Sequence, residues 1–257
     1  MQREIAYAKV NLALHVRRRR SDGYHELETA FAFCEAGDVV EGELAREHGL
    51  ELEGPFAGEL NQSDNLVTKA AQLMAVRARL RLIKCLPVAS GLGGGSADAA
   101  ATLRLLARLS GQDLPPSAET VGLGADVPAC VRSRTCRGEG IGDLLTPLAS
   151  VAGMPILLVN PRVPLSTAQV FKAWDGTDRG PLGDWRTGRN DLEAAACATV
   201  PAIADVLEWL RERTDVTLAR MSGSGATCFA LFGSEPGRDR AAAAVPPDWW
   251  SLASRLR

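Results

Sequence analysis

The chain is poor in the side chains that most often mark a metal or a flat binding face: three histidines, two tyrosines and a 5% aromatic share in 257 residues. Its cysteines, at 34, 85, 130, 136, 197 and 228, form no Cys-x-x-Cys pair, and no histidine is spaced to complete a zinc site with them. A zinc module is excluded, no protein-borne metal site is expected, and free thiols in a reducing cytoplasm are the ordinary reading. Long apolar runs are lacking too, none approaching the roughly 18 residues of a membrane helix. The stretch from Ile5 to Val16 is broken by Lys9 and Asn11 and follows no basic segment, so it does not read as a signal peptide. Excess charge of one sign is also missing: 29 Lys+Arg stand against 31 Asp+Glu, a net charge of -2. Such a chain has no general field for DNA or RNA, and Arg17 to Arg20, without interleaved aromatics, reads as a solvated turn. What is present, 46% hydrophobic and 23% charged residues, is the composition of a globular protein with a sizeable core, of a length that suits one large domain or two small ones.

From Ala6 to Val16 the even positions are apolar and the odd ones include Tyr7, Lys9, Asn11 and His15, which is strand alternation with Lys9 and Asn11 on one face. Asp22-Gly23 supplies a turn, and Leu27, Thr29, Phe31 and Phe33 predict the returning strand, with Tyr24 and His25 where the turn feeds it. Asp64-Asn65 before Leu66, Ala70, Leu73 and Arg77 predicts a capped helix of about three turns. A strand is expected over 80–85, a loop over 114–120 and a buried strand over 156–159. Residues 191–213 read as two helices parted at Pro201, and a final strand is expected over 227–232. The pattern changes near Ala149 to Pro155, which suggests domains at 1–150 and 151–257.

The segment Pro87-Val88-Ala89-Ser90-Gly91-Leu92-Gly93-Gly94-Gly95-Ser96-Ala97 is the most informative. Glycines let backbone N–H groups close on an anion, and a helix start behind them adds unpaired donors and the positive end of the helix dipole. Ser96 is expected to cap that helix, Ala97 to Leu109, with Asp98 in its first turn and Gly111 as its stop. A dinucleotide fingerprint would need glycine where Ser96 stands. A Walker loop would need Gly-Lys-Ser/Thr, and the protein-kinase triplets H-R-D and D-F-G are absent as well. A phosphate loop of another grammar remains.

With its proline, Gly-Leu-Gly core and closing serine, the loop resembles that of the GHMP kinase superfamily. Further segments narrow the likeness: Ala8-Lys9-Val10-Asn11-Leu12, Asp22-Gly23-Tyr24-His25-Glu26-Leu27, Gly124-Ala125-Asp126-Val127-Pro128, Arg189-Asn190-Asp191-Leu192-Glu193 and Met221-Ser222-Gly223-Ser224-Gly225-Ala226-Thr227. In this order they resemble the branch of the superfamily that serves non-mevalonate isoprenoid synthesis by phosphorylating a cytidine-diphosphate-linked methylerythritol. The resemblance implies an α+β, two-domain fold with the active site in the interdomain cleft. It also implies a phosphotransferase using ATP and Mg2+ on the C2 hydroxyl of that substrate, working as a monomer or homodimer without nucleic acid or membrane.

On the family pattern Asp126 would be the general base and Lys9 its neighbour, keeping it ionised and holding the hydroxyl. Pro87, Val88, Ala89, Ser90, Gly91, Leu92, Gly93, Gly94, Gly95, Ser96 and Ala97 would cradle the nucleotide phosphates, with Asn65 near the adenine. Asn11, Tyr24, His25, Phe171, Gly223, Ser224 and Gly225 would bind the substrate, its base stacked between the aromatics, while Asn190 and Asp191 would support the Gly223 loop. The ordinary alternatives are an exposed strand lysine at 9, a turn or helix-cap aspartate at 126, a cap at Asn65 and a core phenylalanine at 171. Ala97 stands where the family often has a second serine, and the chain is compact for the family around 77–87 and 109–124. A GHMP kinase of mevalonate or homoserine type, or a nucleotide-binding module without catalysis, is the competing reading; Tyr24-His25 speaks against the first and the Lys9, Asp126 and loop combination against the second.

Overall fold

The N-terminal strand continues past both ends of its alternating stretch. In the computed structural model, which describes residues 1–60 and 65–257, β1 runs Gln2–Arg19 and β2 returns over His25–Leu44, joined by a turn in which the Gly23 N–H donates to Arg20 O. There follow β3 (Gly49–Glu53), α1 (Leu66–Leu73), β4 (Ala78–Ile83), α2 (Gly94–Ser110), α3 (Ser117–Thr120), α4 (Val127–Arg132), β5 (Cys136–Glu139), β6 (Leu144–Pro147) and β7 (Pro155–Asn160). The chain closes with α5 (Thr167–Ala173), α6 (Glu193–Thr199), α7 (Ala202–Arg211), β8 (Val216–Met221), β9 (Cys228–Phe232), α8 (Glu235–Ala243) and β10 (Trp250–Arg255).

The residues group into two compact units: Met1–Lys9, Ala36–Val88 and Gly93–Ser133 form the first, and Val10–Glu35, Ala89–Leu92 and Arg134–Arg257 the second. In the first, β4 pairs antiparallel with the C-terminal half of β2 (Val40 opposite Leu82) and parallel with β3 (Leu52 opposite Leu82). Ala97, Ala99, Ala100 and Ala101 of α2 are buried, and Gly42 of β2 leaves room for Leu105: a Cβ there would lie 3.2 Å from its Cδ2. α1 packs on α2, and α2 on α4.

In the second unit β10, β7, β9 and β8 form an antiparallel sheet in that order, and the N-terminal half of β2 pairs β5, which pairs β6. α7 lies on this unit's core through Ile203, Val206, Leu207 and Leu210, the i, i+3, i+4, i+7 stripe of an amphipathic helix. Each such side chain taken from water stabilises by roughly 1.5 to 3 kcal/mol. Arg17, Arg18 and Arg20 each meet a carboxylate (Glu28 at 2.6 Å, Glu26 at 2.5 Å and Asp22 at 2.8 Å), so the basic run is locally neutralised.

Several expectations need correction. α1 ends at Leu73, short of Arg77, because Ala75 adopts φ 52° and turns the chain into β4; Asp64, expected at its start, lies outside the described residues. Ser96 does not cap α2. The helix begins three residues earlier than expected, behind Gly93 at φ 61°, and the Ala97 N–H donates to Gly93 O. The loop over 114–120 closes in the short α3. The strand at 227–232 is not the last, since α8 and β10 follow it.

Candidate active site

The first unit gathers the charged residues. Lys9, on β1, is 4% exposed, and its Nζ lies 3.0 Å from Asp126 Oδ2. The bland reading of an exposed strand lysine is thereby removed. Asp126 holds the N-cap position of α4, yet its side chain makes no cap hydrogen bond; the carboxylate, 32% exposed, turns to Lys9 instead. Gly93 abuts the pair, for a Cβ built on it would lie 2.8 Å from Lys9 Cε and 3.6 Å from Asp126 Oδ2. That position therefore demands glycine for two reasons, its positive φ and the missing space.

Because Gly93 has no side chain, the first turn of α2 carries no side-chain cap, and its N–H groups lack that partner. Ser96 Oγ sits 3.5 Å from the point a Cβ on Gly124 would occupy, which brings the loop's serine beside the Gly124-Ala125-Asp126 turn. Asn65 caps α1, its Oδ1 accepting from the Val67 N–H at 2.9 Å, and the neighbouring Leu66 reaches to within 3.3 Å of a Cβ on Gly95.

A buried ionic cluster, which inspection of the sequence missed, supports the same helix start. Lys84 Nζ donates to Asp38 Oδ2 at 2.6 Å and to Asp98 Oδ2 at 2.7 Å, and all three side chains are almost wholly enclosed. Burial disfavours the Lys84 ammonium, but the two carboxylates outweigh it and raise its pKa. Burial likewise drives the Asp98 carboxyl up, to about 7, against the pull of Lys84. Asp98 thus serves as an internal ligand of Lys84 and not as the first-turn dipole partner its position suggested. Asp38 Oδ1 accepts from the Cys85 and Leu86 N–H groups, fixing the chain as it enters Pro87 and Val88. The available signal was Lys84 itself, which breaks the alternation of Arg79 and Arg81 in β4.

The second unit gathers neutral groups. Ala89, Ser90, Gly91 and Leu92 run beside the Gly223 turn: the Thr227 N–H donates to Ser90 O at 3.1 Å and Ser222 Oγ to Gly91 O at 3.0 Å. A Cβ on Gly91 would strike Ser222 O and come within 2.8 Å of Gly225 O. Ser90 Oγ is buried and has no hydrogen-bond partner. Asn190 Nδ2 donates to both Met221 O and Gly223 O at 2.8 Å, and the Asn11 N–H donates to Ser222 Oγ at 3.1 Å. Ser224 Oγ meets Thr167 Oγ1 at 2.8 Å, and Asn11 Nδ2 donates to Thr29 Oγ1 at 2.8 Å. Asp191 serves β1 instead of this turn, its Oδ2 accepting from the Val16 N–H at 2.8 Å.

His25 is buried, its ring 4.8 Å from that of Phe171 and 5.7 Å, edge-on, from Trp174. Burial, with the Arg19 charge added, lowers its pKa, so at neutral pH the imidazole offers one donor and one acceptor. Trp174 is a second residue missed in the sequence. Tyr24 stands apart from this cluster as an exposed side chain at 59%. Phe171 is only partly buried; Val170 beside it takes the core position. Among the described residues no group of three or more His, Cys, Asp or Glu is arranged to hold a metal ion, and no helix is long and apolar enough to cross a membrane.

The model of the GHMP kinases N terminal domain matches residues 65–148, and that of the GHMP kinases C terminal domain matches residues 173–251. The chain belongs to the GHMP kinases. It is similar to a 4-diphosphocytidyl-2-C-methyl-D-erythritol kinase of Rhizorhabdus wittichii, with 56% identity covering 99% of this chain and 94% of that one. A protein of the same name from Novosphingobium aromaticivorans is 53% identical, over 99% and 93% of the two chains. The crystal structure of a 4-(cytidine 5'-diphospho)-2C-methyl-D-erythritol kinase superposes with a TM-score of 0.87 at 33% identity, covering 99% of each chain. A mevalonate kinase structure, at TM-score 0.67 and 10% identity, shares the GHMP fold alone.

Proposed function

We propose that this GHMP kinase transfers the γ-phosphoryl group of ATP to the C2 hydroxyl of 4-diphosphocytidyl-2-C-methyl-D-erythritol. The observation that carries the reading is the Lys9–Asp126 pair at 3.0 Å, set against the glycine that opens α2. The hydroxyl oxygen bonds to the γ-phosphorus as the bond to the β-phosphate oxygen breaks, and the hydroxyl proton passes to Asp126. A carboxylate suffices as base because in a loose transition state the proton leaves late and alignment outweighs basicity. Lys9 pairs with the Asp126 carboxylate and holds the attacking oxygen.

The N–H groups of Gly94, Gly95 and Ser96, the hydroxyls of Ser96 and Ser90, and the backbone of the rest of the 87–97 loop would hold the nucleotide phosphates; the helix dipole adds roughly 0.3 to 1 kcal/mol per nearby anion. Asn65 would lie toward the adenine. The Ser96 hydroxyl would be the protein group available to magnesium, which would supply charge neutralisation for the transferred phosphate. Neutral His25 would read the polar edge of cytosine beside Phe171, with Tyr24 free to cover the ring, and base stacking of this kind is worth roughly 1 to 3 kcal/mol. Asn11, Gly223, Ser224 and Gly225 would hold the substrate's ribose and diphosphate.

For the sequence we keep a division into 1–150 and 151–257, with the two family matches on either side of it. A cytoplasmic location is supported by cysteines that are all free, among them Cys34, whose thiol burial pushes up to about 12. We assign the enzyme to a monomer or homodimer. The test is a phosphorylation assay with MgATP and the diphosphocytidyl substrate beside mevalonate and homoserine. Turnover confined to the first supports the proposal; turnover of either small alcohol at an equal rate overturns it.

A further inference from the structure

Arg104 lies on α2, eleven residues beyond Gly93, about 16 Å along the axis at 1.5 Å per residue. No motif includes it. Its guanidinium is nonetheless bonded on all three nitrogens. Nε donates to Glu4 Oε1 at 2.8 Å, Nη2 to Ile5 O at 2.8 Å, and Nη1 to Cys130 O at 2.7 Å and Ser133 Oγ at 3.2 Å. The cation also stands 5.6 Å from the centre of the Tyr7 ring.

These partners lie on the two elements that carry the reacting pair. Glu4, Ile5 and Tyr7 belong to β1, where Ile5, Tyr7 and Lys9 share one face at two-residue steps. Cys130 belongs to α4, and its N–H donates to Asp126 O at 3.0 Å. A single residue, Cys130, therefore links the Arg104 guanidinium to the backbone of Asp126, accepting from the one through its C=O and donating to the other through its N–H. At the other end of α2, a Cβ on Gly93 would lie 2.8 Å from Lys9 Cε, so the lysine stem fills the space beside this glycine. One planar fork thus ties β1 and α4 to α2, the helix that opens behind Gly93.

We propose that Arg104 is a positioning residue for phosphoryl transfer, holding the Lys9–Asp126 pair at a set place relative to the N-terminus of α2. The proposal rests on the catalytic reading of that pair. A lysine at 104 would keep the charge and most of the packing stem, but its ammonium cannot span acceptors on two elements with the fixed geometry of a guanidinium.

The test is a kinetic cycle of Arg104→Lys, Asp126→Asn and the double variant in the full chain, with melting curves for each. A displacement near 1 Å can cost a factor of about 100 in rate, and one fork-to-ammonium exchange is expected to give part of that. We expect Arg104→Lys to lower kcat about 10-fold, with KM for ATP and for the diphosphocytidyl substrate within about twofold, and to cost less than about threefold on the Asp126→Asn background. Unchanged kcat, or the same loss on both backgrounds, overturns the proposal and assigns Arg104 a structural role only. Full turnover in Asp126→Asn instead overturns the catalytic reading, so the two failures are distinct. Should Arg104→Lys not fold, Glu4→Gln, which weakens one arm of the fork, carries the same cycle with an expected kcat loss of about threefold, absent on Asp126→Asn.

Discussion

The two units build their sites from different chemistry. The first relies on charges: Lys9 with Asp126, Lys84 between Asp38 and Asp98, and Arg104 with Glu4. The second relies on neutral hydrogen bonds and rings: Asn190 and Asn11 on the Gly223 turn, and His25 against Phe171 and Trp174. The contrast follows the proposed ligands. A transferring phosphoryl group needs fixed charge and aligned N–H groups, whereas an uncharged base is read by stacking and by one donor and one acceptor. The near-zero net charge of the chain, -2, fits this division, since the proposed anions would be met by local devices and not by a basic surface.

The contrast breaks most visibly at Lys84. Lys84→Met would leave two buried carboxylates facing each other without a cation and is expected to cost about 3 to 5 kcal/mol in a denaturant titration. An unchanged unfolding midpoint would mean that the cluster is not what holds the start of α2. The counterpart in the second unit is milder. Asn190→Ala strands the Met221 and Gly223 carbonyls and is expected to cost about 1 to 3 kcal/mol, with KM for the cytidine substrate rising more than KM for ATP.

His25→Ala sharpens the comparison further. KM for the diphosphocytidyl substrate is expected to rise about 10-fold while KM for ATP stays within about twofold; equal rises would remove His25 from base recognition. The smallest effect is a pH dependence. Because the pKa of His25 is lowered from 6.5, the neutral ring persists through neutral pH. KM for that substrate should be flat from about pH 9 to about pH 7 and rise only in acid, as the ring gains a proton. Stability follows the same sign: the contribution of neutral His25 is full above the unfolded value of 6.5 and is lost as pH falls through the lower folded value. A rise in KM between about pH 7 and pH 8 would contradict the assignment.

Much of this was legible in the residues because the signals are local. The alternation around Lys9 and Asn11, the Asp22-Gly23 turn, the glycine loop and the break at Pro201 each act within a few neighbours, and β1, β2, α2, α6 and α7 lie where these predict. The rest depends on long-range pairing. Lys84 finds Asp38 across 46 positions and Arg104 finds Glu4 across 100, and no spacing rule connects them. The shift of the α2 cap from Ser96 to Gly93 came from a positive φ, which any of the loop's glycines could have adopted. The C-terminal α8 and β10 escaped because Arg240 to Ala244 and Trp249-Trp250 carry neither a clear 3.6 nor a clear two-residue period.

Steady-state kinetics of Asp126→Asn, with both substrates varied and folding checked by melting, test the central claim most directly. The account predicts a kcat lowered by at least about 100-fold with both KM values within about threefold of wild type. A kcat near that of the wild type would contradict it, and would leave the Lys9–Asp126 contact as an ion pair of the fold alone.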